Sequence, residues 1–534
     1  VTREGSRYPW FELGDINAFF GLMFDNVAVL SFFAGALILG FNFPADVVYS
    51  RMFPGTTFGV LVGDLIYTWM AFRLARKTGR NDVTAMPLGL DTPSTIGLAL
   101  TVIGPAFLAL KHEGQTPEAA ALGAWHLGMA TMVIIGVVKV VLSFCGAWVQ
   151  RLVPRAGLLG SIAGVGIALI GYIPLVEIFG TPILGMLSLG IVMYSVVAGI
   201  SLPKNIPGVL TAIVVGTVLY HAYHWFGFGG GGEAYVAPSL QLHPGLPIPT
   251  LDFIDGMFPA LKYLPITVPF ALLTVVGGIN VTESARVAGD NFSTRQILLT
   301  EAVATLVAGV CGGVAQSCPY IGHPAYKRMG ARAGYTLLAG IVIGLGGMLG
   351  YISFIVELIP KAILAPILIF IALEITSQAF FGSPAEHAPA VVFAMFPTLA
   401  RLLAIQYETP EVVSLSTLQH LMDKAGPSLP EVLITIALGN GFILTGMLWG
   451  AFLAEMIDRR LKACSLYLFI LCGLSFFGIV HSSSVDAKVY LPWLLSGTAQ
   501  AIPYQFALSY LVLGVLIFVL SLAKAPHTDA LSKK

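Results

Sequence analysis

Apolar runs long enough to cross a bilayer recur along this whole sequence, and that recurrence confines the chain to a membrane fold. A helix needs roughly 18 or more consecutive apolar residues to span the hydrocarbon core. Such runs lie near residues 16–40, 57–75, 91–110, 126–148, 156–176, 182–200, 206–225, 264–285, 297–314, 320–334, 336–356, 361–380, 387–405, 431–455, 463–481 and 502–523, about sixteen in all. In lipid every backbone N–H and C=O must be paired within the protein, so runs of this length predict an all-α polytopic membrane protein. The composition agrees: of the 534 residues 56% are hydrophobic and 10% charged, where soluble domains carry roughly a quarter charged residues.

Lys+Arg and Asp+Glu balance at 28 each, which gives no electrostatic footprint for nucleic acid or a polybasic lipid-binding tail. The five cysteines, Cys145, Cys311, Cys318, Cys464 and Cys472, have no C-x-x-C spacing, so neither a disulfide framework nor a zinc site is expected. The first apolar run, Asn17 to Gly40, reads as a span and not as a cleaved leader. Basic residues collect in alternate loops: Arg3 and Arg7; Arg73, Arg76, Lys77 and Arg80; Arg151 and Arg155; Lys204; Arg286 and Arg295; Lys327, Arg328 and Arg332; Arg459, Arg460 and Lys462; Lys524, Lys533 and Lys534. By the positive-inside rule both termini are expected in the cytoplasm of a multi-pass cell-membrane protein. Phe226 to Lys262 then forms an outside loop. Its run Gly229 to Gly232 is no phosphate cradle, since no Lys-Ser/Thr follows. The sequons at Asn280 and Asn291 fall in a span and on the predicted inside.

Two segments break the helical pattern, one in each half. TAMPLGLDTPST (Thr84 to Thr95) reads as a short extended stretch followed by a helix start at Asp91-Thr92-Pro93-Ser94. AQSCPYIGHPAYKR (Ala315 to Arg328) carries Pro319, Gly322 and Pro324 too densely for an unbroken helix. A helix broken inside the membrane frees backbone groups that only protein or a watery cavity can satisfy. Paired breaks in the two halves of a chain therefore mark a solute site lined by helix N-termini.

Charged residues inside spans narrow the choice further, because each costs roughly 2.5 to 3.5 kcal/mol on insertion scales. Glu283, beside Asn280, Thr282 and Ser284, is the leading candidate for a proton-coupled acid, with helix-end pairing to Arg286 as its alternative. Asp25, next to Asn26 in the first span, divides between proton coupling and a structural hydrogen bond. Asp64 and Glu301 read as structural, Lys139 as a partner for one of these acids, and Glu374 and Glu455 as helix-end residues. His323 follows the second break and is a candidate solute contact. Asp91 either caps its helix or meets the solute. Gly160-x-x-x-Gly164 and the glycines from Gly340 to Gly350 read as close helix packing.

The segments Ala85 to Val102, Leu202 to His221, Ile297 to Thr336 and Ile359 to Ile375 resemble the xanthine/uracil permease family of nucleobase and ascorbate transporters, nearest its adenine/guanine/hypoxanthine branch, over roughly residues 16–455. The resemblance implies two inverted seven-helix repeats forming core and gate domains, with short strands in the interrupted third and tenth helices and about two extra C-terminal spans. It implies a solute held between those strands and transport driven by protons. Two positions depart from the family pattern. The acid expected after the tenth-helix strand is replaced, in the register of Tyr320 and Ile321, by Gly322, and the eighth-helix acid would fall near Ile279 or Asn280, one turn before Glu283.

The expected organisation is a first repeat at 1–225, a loop at 226–263, a second repeat at 264–456 and a C-terminal extension at 457–534. The leading expectation is a secondary transporter moving a nucleobase with protons. A carrier of small anions or carboxylates on the same fold is the alternative, favoured by the acid missing at Gly322, and a membrane sensor or channel is the rival from another class. Solute contacts are expected at Leu88, Gly89, Leu90, Asp91, Thr92, Asn280, Glu283, Ser317, Cys318, Tyr320, Gly322 and His323, with proton coupling at Glu283 and Asp25. No catalytic constellation, metal site or cofactor is expected. The partners are the solute, a coupling proton and the bilayer; a homodimer is open to the chain.

Overall fold

The computed structural model describes residues 8–144, 154–200, 202–203, 206–226, 241–320, 322–408, 431–483, 490–495 and 498–523. Cys145, the Gly229 to Gly232 run, Ile321 and the basic residues Arg3, Arg7, Arg151, Lys204, Lys524, Lys533 and Lys534 lie outside them. The protein is an all-α polytopic membrane protein whose helical pattern is interrupted by two short strands, Leu88–Leu90 and Ser317–Pro319, and it ends in the helices Leu461–Phe476 and Thr498–Leu522.

Among the described residues nine helices are long and apolar enough to cross a membrane, or up to eleven if each of two bent pairs counts as one span. The expected sixteen spans exceed the number that meet this length and composition among the described residues. The run expected at 320–334 is a six-residue helix, His323–Arg328, after a strand. Its prolines and glycines stop the helix from extending. The run at 336–356 is bent by 98° between Gly334–Leu349 and Tyr351–Leu358, because Gly350 takes φ +81, a left-handed conformation that costs glycine little.

The chain divides into two compact units. One comprises Val1–Val149 and Val165–Ile375, the other Gln150–Gly164 and Thr376–Lys534. In the first unit the elements that matter for the site are α1 (Leu13–Ile38), α2 (Phe53–Thr78), β1 (Leu88–Leu90), α3 (Thr92–Leu98), α4 (Pro117–Phe144), α5 (Leu264–Val287), α6 (Thr294–Val310), β2 (Ser317–Pro319), α7 (His323–Arg328) and α8 (Gly334–Leu349). The glycines of α8 let it lie on α2: a Cβ at Gly347 would run into Thr57, one at Gly344 would stand 2.6 Å from Leu61 and one at Gly340 2.8 Å from Asp64. Small residues at such contacts are how helices pack where lipid removes the hydrophobic drive between them.

In the second unit, Gly160 and Gly164 play the same part against Val391 and Thr398, with Cβ approaches of 2.7 Å at each. This unit also holds a bend of 83° between helices Glu431–Gly439 and Phe442–Ile457. The backbone groups freed there are taken up by a later segment. Asn440 O accepts His481 N–H at 3.0 Å, Asn440 Nδ2 donates to Ser482 O at 2.9 Å, and His481 Nδ1 lies 3.3 Å from Ala437 O.

Candidate functional site

The two interrupted helices meet. Leu88, Gly89 and Leu90 pair antiparallel with Pro319, Cys318 and Ser317. The flanking bonds Asp91 N–H to Gln316 O at 2.9 Å and Tyr320 N–H to Pro87 O at 2.9 Å extend the ladder by one step at each end.

This register settles which groups face where. Opposed residues point to one face and alternate along each strand. Pro87, Gly89 and Asp91 therefore share a face with Tyr320, Cys318 and Gln316, while Leu88, Leu90, Ser317 and Pro319 lie on the other. The outer edges need partners of their own, since unpaired backbone groups are costly inside a membrane. Leu88 N–H donates to Asp64 Oδ1 at 3.3 Å and Leu90 N–H to Asn26 Oδ1 at 2.9 Å. On the opposite edge Ser317 O accepts from Lys139 Nζ at 2.9 Å and Thr305 Oγ1 at 3.4 Å. Pro319 has no N–H, and at this outward position none is missed.

Asp91 is the N-cap of α3: its Oδ2 accepts Ser94 N–H at 3.0 Å, with Pro93 in the first turn. Gln316 Nε2 donates to Ser94 Oγ at 2.6 Å and lies 3.4 Å from Asp91 Oδ2, while Cys318 Sγ lies 3.6 Å from Asp91 Oδ1. Both Asp91 oxygens are thus engaged. Asp25 differs. It is 1% exposed, neither carboxylate oxygen has a hydrogen-bond partner among the described residues, and a Cβ on Gly89 would stand 3.6 Å from its Oδ2. Asp25 therefore faces the middle of the strand pair at the one position where no side chain intervenes. Asp91, Cys318 and Tyr320 are half-buried, and they open this face.

The structure brings together Leu88, Gly89, Leu90, Asp91, Thr92, Ser317, Cys318, Tyr320 and Asp25. Four expected residues lie elsewhere. Glu283 is exposed on α5 and paired with Arg286, and Asn280 is exposed on the same helix. Gly278, Val281, Thr282 and Ala285 make the buried stripe of that helix, which at 3.6 residues per turn leaves Asn280 and Glu283 on its exposed face. His323 is buried, but against Asp290 Oδ2 at 3.3 Å and Thr84 O at 3.2 Å. Gly322 caps α7, packed between Tyr320 and Tyr326.

His323 belongs to an ionic cluster that ties three loops. Asp290 Oδ2 receives Lys327 Nζ at 2.6 Å and Thr84 N–H at 3.0 Å, and Arg80 Nε donates to Asp82 Oδ1 at 2.8 Å. Burial pushes the Asp290 carboxyl up, yet the hydrogen bonds from His323, Lys327 and the Thr84 amide outweigh it and hold it below the usual range. Asp82 is also held low, chiefly by Arg80.

Sequence reasoning passed over Gln316 and Ser94 and gave Lys139 and Glu301 no place at the site. Strand alternation would have found the first: Gln316, Cys318 and Tyr320 are two residues apart. No local signal places Lys139 behind β2, because that contact spans 178 residues.

No protein-family profile matches the sequence, and no curated protein matches it. Among solved structures it is similar to the transmembrane domain of a cyanobacterium bicarbonate transporter, BicA, at 15% identity and TM-score 0.42 over 66% of this chain and 95% of that one. It is similar also to SLC26A9, at 13% identity and TM-score 0.48 over 78% of this chain and 67% of that one. A third match is the murine Solute Carrier 26 family member A9 anion transporter in the inward-facing state, at 14% identity and TM-score 0.45 over 78% of this chain and 68% of that one. The resemblance to xanthine/uracil permeases is overturned. The segments that carried it, small-residue helices and two Pro/Gly breaks, meet the physical demands of paired interrupted helices and do not specify a solute.

Proposed function

We propose that this protein is a secondary transporter that carries a small anion, bound on the open face of the β1–β2 pair, together with a proton on Asp25. The observation that carries the reading is Asp25 itself: a buried carboxyl without a hydrogen-bond partner, aimed at Gly89 in the middle of the paired breaks.

An unpaired charge buried at such a place costs several kcal/mol, so a proton there is strongly favoured. With Asp25 neutral, the Tyr320 hydroxyl can donate a hydrogen bond to the solute, and the Gln316 amide and Cys318 thiol, held on Asp91 and Ser94 here, join it by turning from Asp91 to the solute. The Asp91 carboxylate is spent on its own cap and on Gln316. Donors that turn to the solute in this way favour an anion. With Asp25 ionised, the same anion would meet a like charge. Anion and proton therefore travel together. In this reading the protein sits in the cell membrane with both termini in the cytoplasm, as its loop charges favour.

The test is uptake by purified protein in liposomes under an inward proton gradient, with bicarbonate, chloride, sulfate and a small carboxylate offered against nucleobases and urate. Saturable uptake of an anion, competed by other anions and not by nucleobases, is expected. Uptake competed only by nucleobases, or flux that neither saturates nor follows the gradient, would refute the proposal, the latter pointing to a channel.

A further inference from the structure

Behind β2 lies a second buried charge that the solute face does not use. Lys139 and Glu301 are both fully buried, with Nζ 3.4 Å from Glu301 Oε1. The amine also reaches Ser317 O at 2.9 Å and Thr305 Oγ1 at 3.4 Å. Apart from that ion pair, neither buried Glu301 oxygen has a hydrogen-bond partner among the described residues, nor has the buried Ser317 hydroxyl. The ammonium thus stands among a carboxylate, a hydroxyl and a peptide carbonyl, with one more oxygen unengaged on the residue that supplies the carbonyl. An all-oxygen set of this kind is what hard metal cations select, and a lysine ammonium is a compact point charge with three donors that can stand in for one.

We infer that Lys139 is a built-in substitute for a co-transported metal cation: its amine permanently occupies an oxygen cage tied to the outer edge of β2, so that transport needs no sodium. Ser317 belongs to a ladder position whose carbonyl points away from β1, so whatever cation fills the cage also braces the strand that lines the solute face. A purely structural ion pair would show the same distances, but it would not accept sodium once the amine is gone. The inference deepens the transporter reading and rests on it only for its uptake arm.

The experiment uses the full chain, with sodium chloride compared against choline chloride at equal ionic strength. Three proteins are melted in both salts and assayed for uptake: wild type, Lys139→Ala, and a Lys139→Met/Glu301→Gln double variant that leaves no buried charge unpaired. Wild type should melt and transport alike in both salts. Lys139→Ala should melt several degrees higher in sodium, as a ligand bound only by the folded state requires, and should recover about tenfold more uptake there than in choline, a factor equal to about 1.4 kcal/mol. The double variant should ignore the salt.

Sodium-dependent uptake or melting by wild type would overturn the inference. So would equal melting of Lys139→Ala in the two salts, or its failure to fold in sodium while the double variant folds. If neither variant folds, the wild-type comparison decides. Sodium-responsive melting of Lys139→Ala without any anion uptake would leave the cage standing and remove the transport reading.

Discussion

Replacing Asp25 by asparagine removes a charge and little else, so its effect on anion binding follows from electrostatics. A solute atom touching Gly89 lies where a Cβ would already be 3.6 Å from Asp25 Oδ2, which puts the centre of a small polyatomic anion about 6 Å from the carboxylate. At an effective dielectric constant near 20 the repulsion is about 2.8 kcal/mol, or roughly a hundredfold in affinity. Wild type should therefore bind the anion more tightly as pH falls and Asp25 takes up its proton. Asp25→Asn should bind at the tight limit at every pH, exchange anion downhill, and fail to accumulate it against a gradient. Titration calorimetry across a pH series on both proteins reads the affinity, and liposome uptake with and without a proton gradient reads the coupling. A variant that keeps the wild-type pH slope, or a wild type whose affinity rises with pH, would refute the assignment of Asp25.

Other consequences can be checked alongside. Glu283→Gln should leave proton-driven uptake unchanged, since Glu283 is exposed and paired with Arg286; a loss of coupling in that variant would return the role to α5. Asp91→Ala removes the cap of α3 and should cost about 0.5 to 2 kcal/mol, read as a lower melting temperature. Gly347→Leu forces a side chain into Thr57 at the α2 contact and should destabilise by about 1 to 3 kcal/mol, with wild-type stability counting against that packing. Asp82 and Asp290 are held below their usual range, so the stability they give is present above the unfolded carboxylate value of about 3.9 and is lost as pH falls through the folded value. Replacing Asp82 by asparagine should flatten acid unfolding in that window.

What the sequence disclosed depended on whether the cause was local. The helix start at Asp91-Thr92-Pro93 was legible because capping is settled within four residues, and the structure has Asp91 on Ser94 as the pattern implies. The breaks themselves were legible because Pro319, Gly322 and Pro324 cannot sit in one helix. The pairing of Gly89 with Cys318 was not: each strand has three residues, too few for a periodic signal, and their register depends on contacts more than 200 residues apart. Glu283 was misplaced for a different reason. Its polar neighbours suggested a lined cavity, whereas the stripe Gly278, Val281, Thr282 and Ala285 already marked the opposite side of the helix as the buried one. Asp25 had the contrary character, a charge in the apolar middle of its span, where the sequence could name the anomaly and not its direction.

The bend between Glu431–Gly439 and Phe442–Ile457 bears on how the protein is made. Its freed carbonyls at Ala437 and Asn440 are met by His481, which leaves the ribosome about forty residues after the bend does. Until then the half-made helix pair holds polar backbone in the bilayer with nothing to answer it. The membrane insertion machinery, or water drawn in with the chain, must shelter that segment during synthesis, and the turn after Leu461–Phe476 completes the span that precedes it.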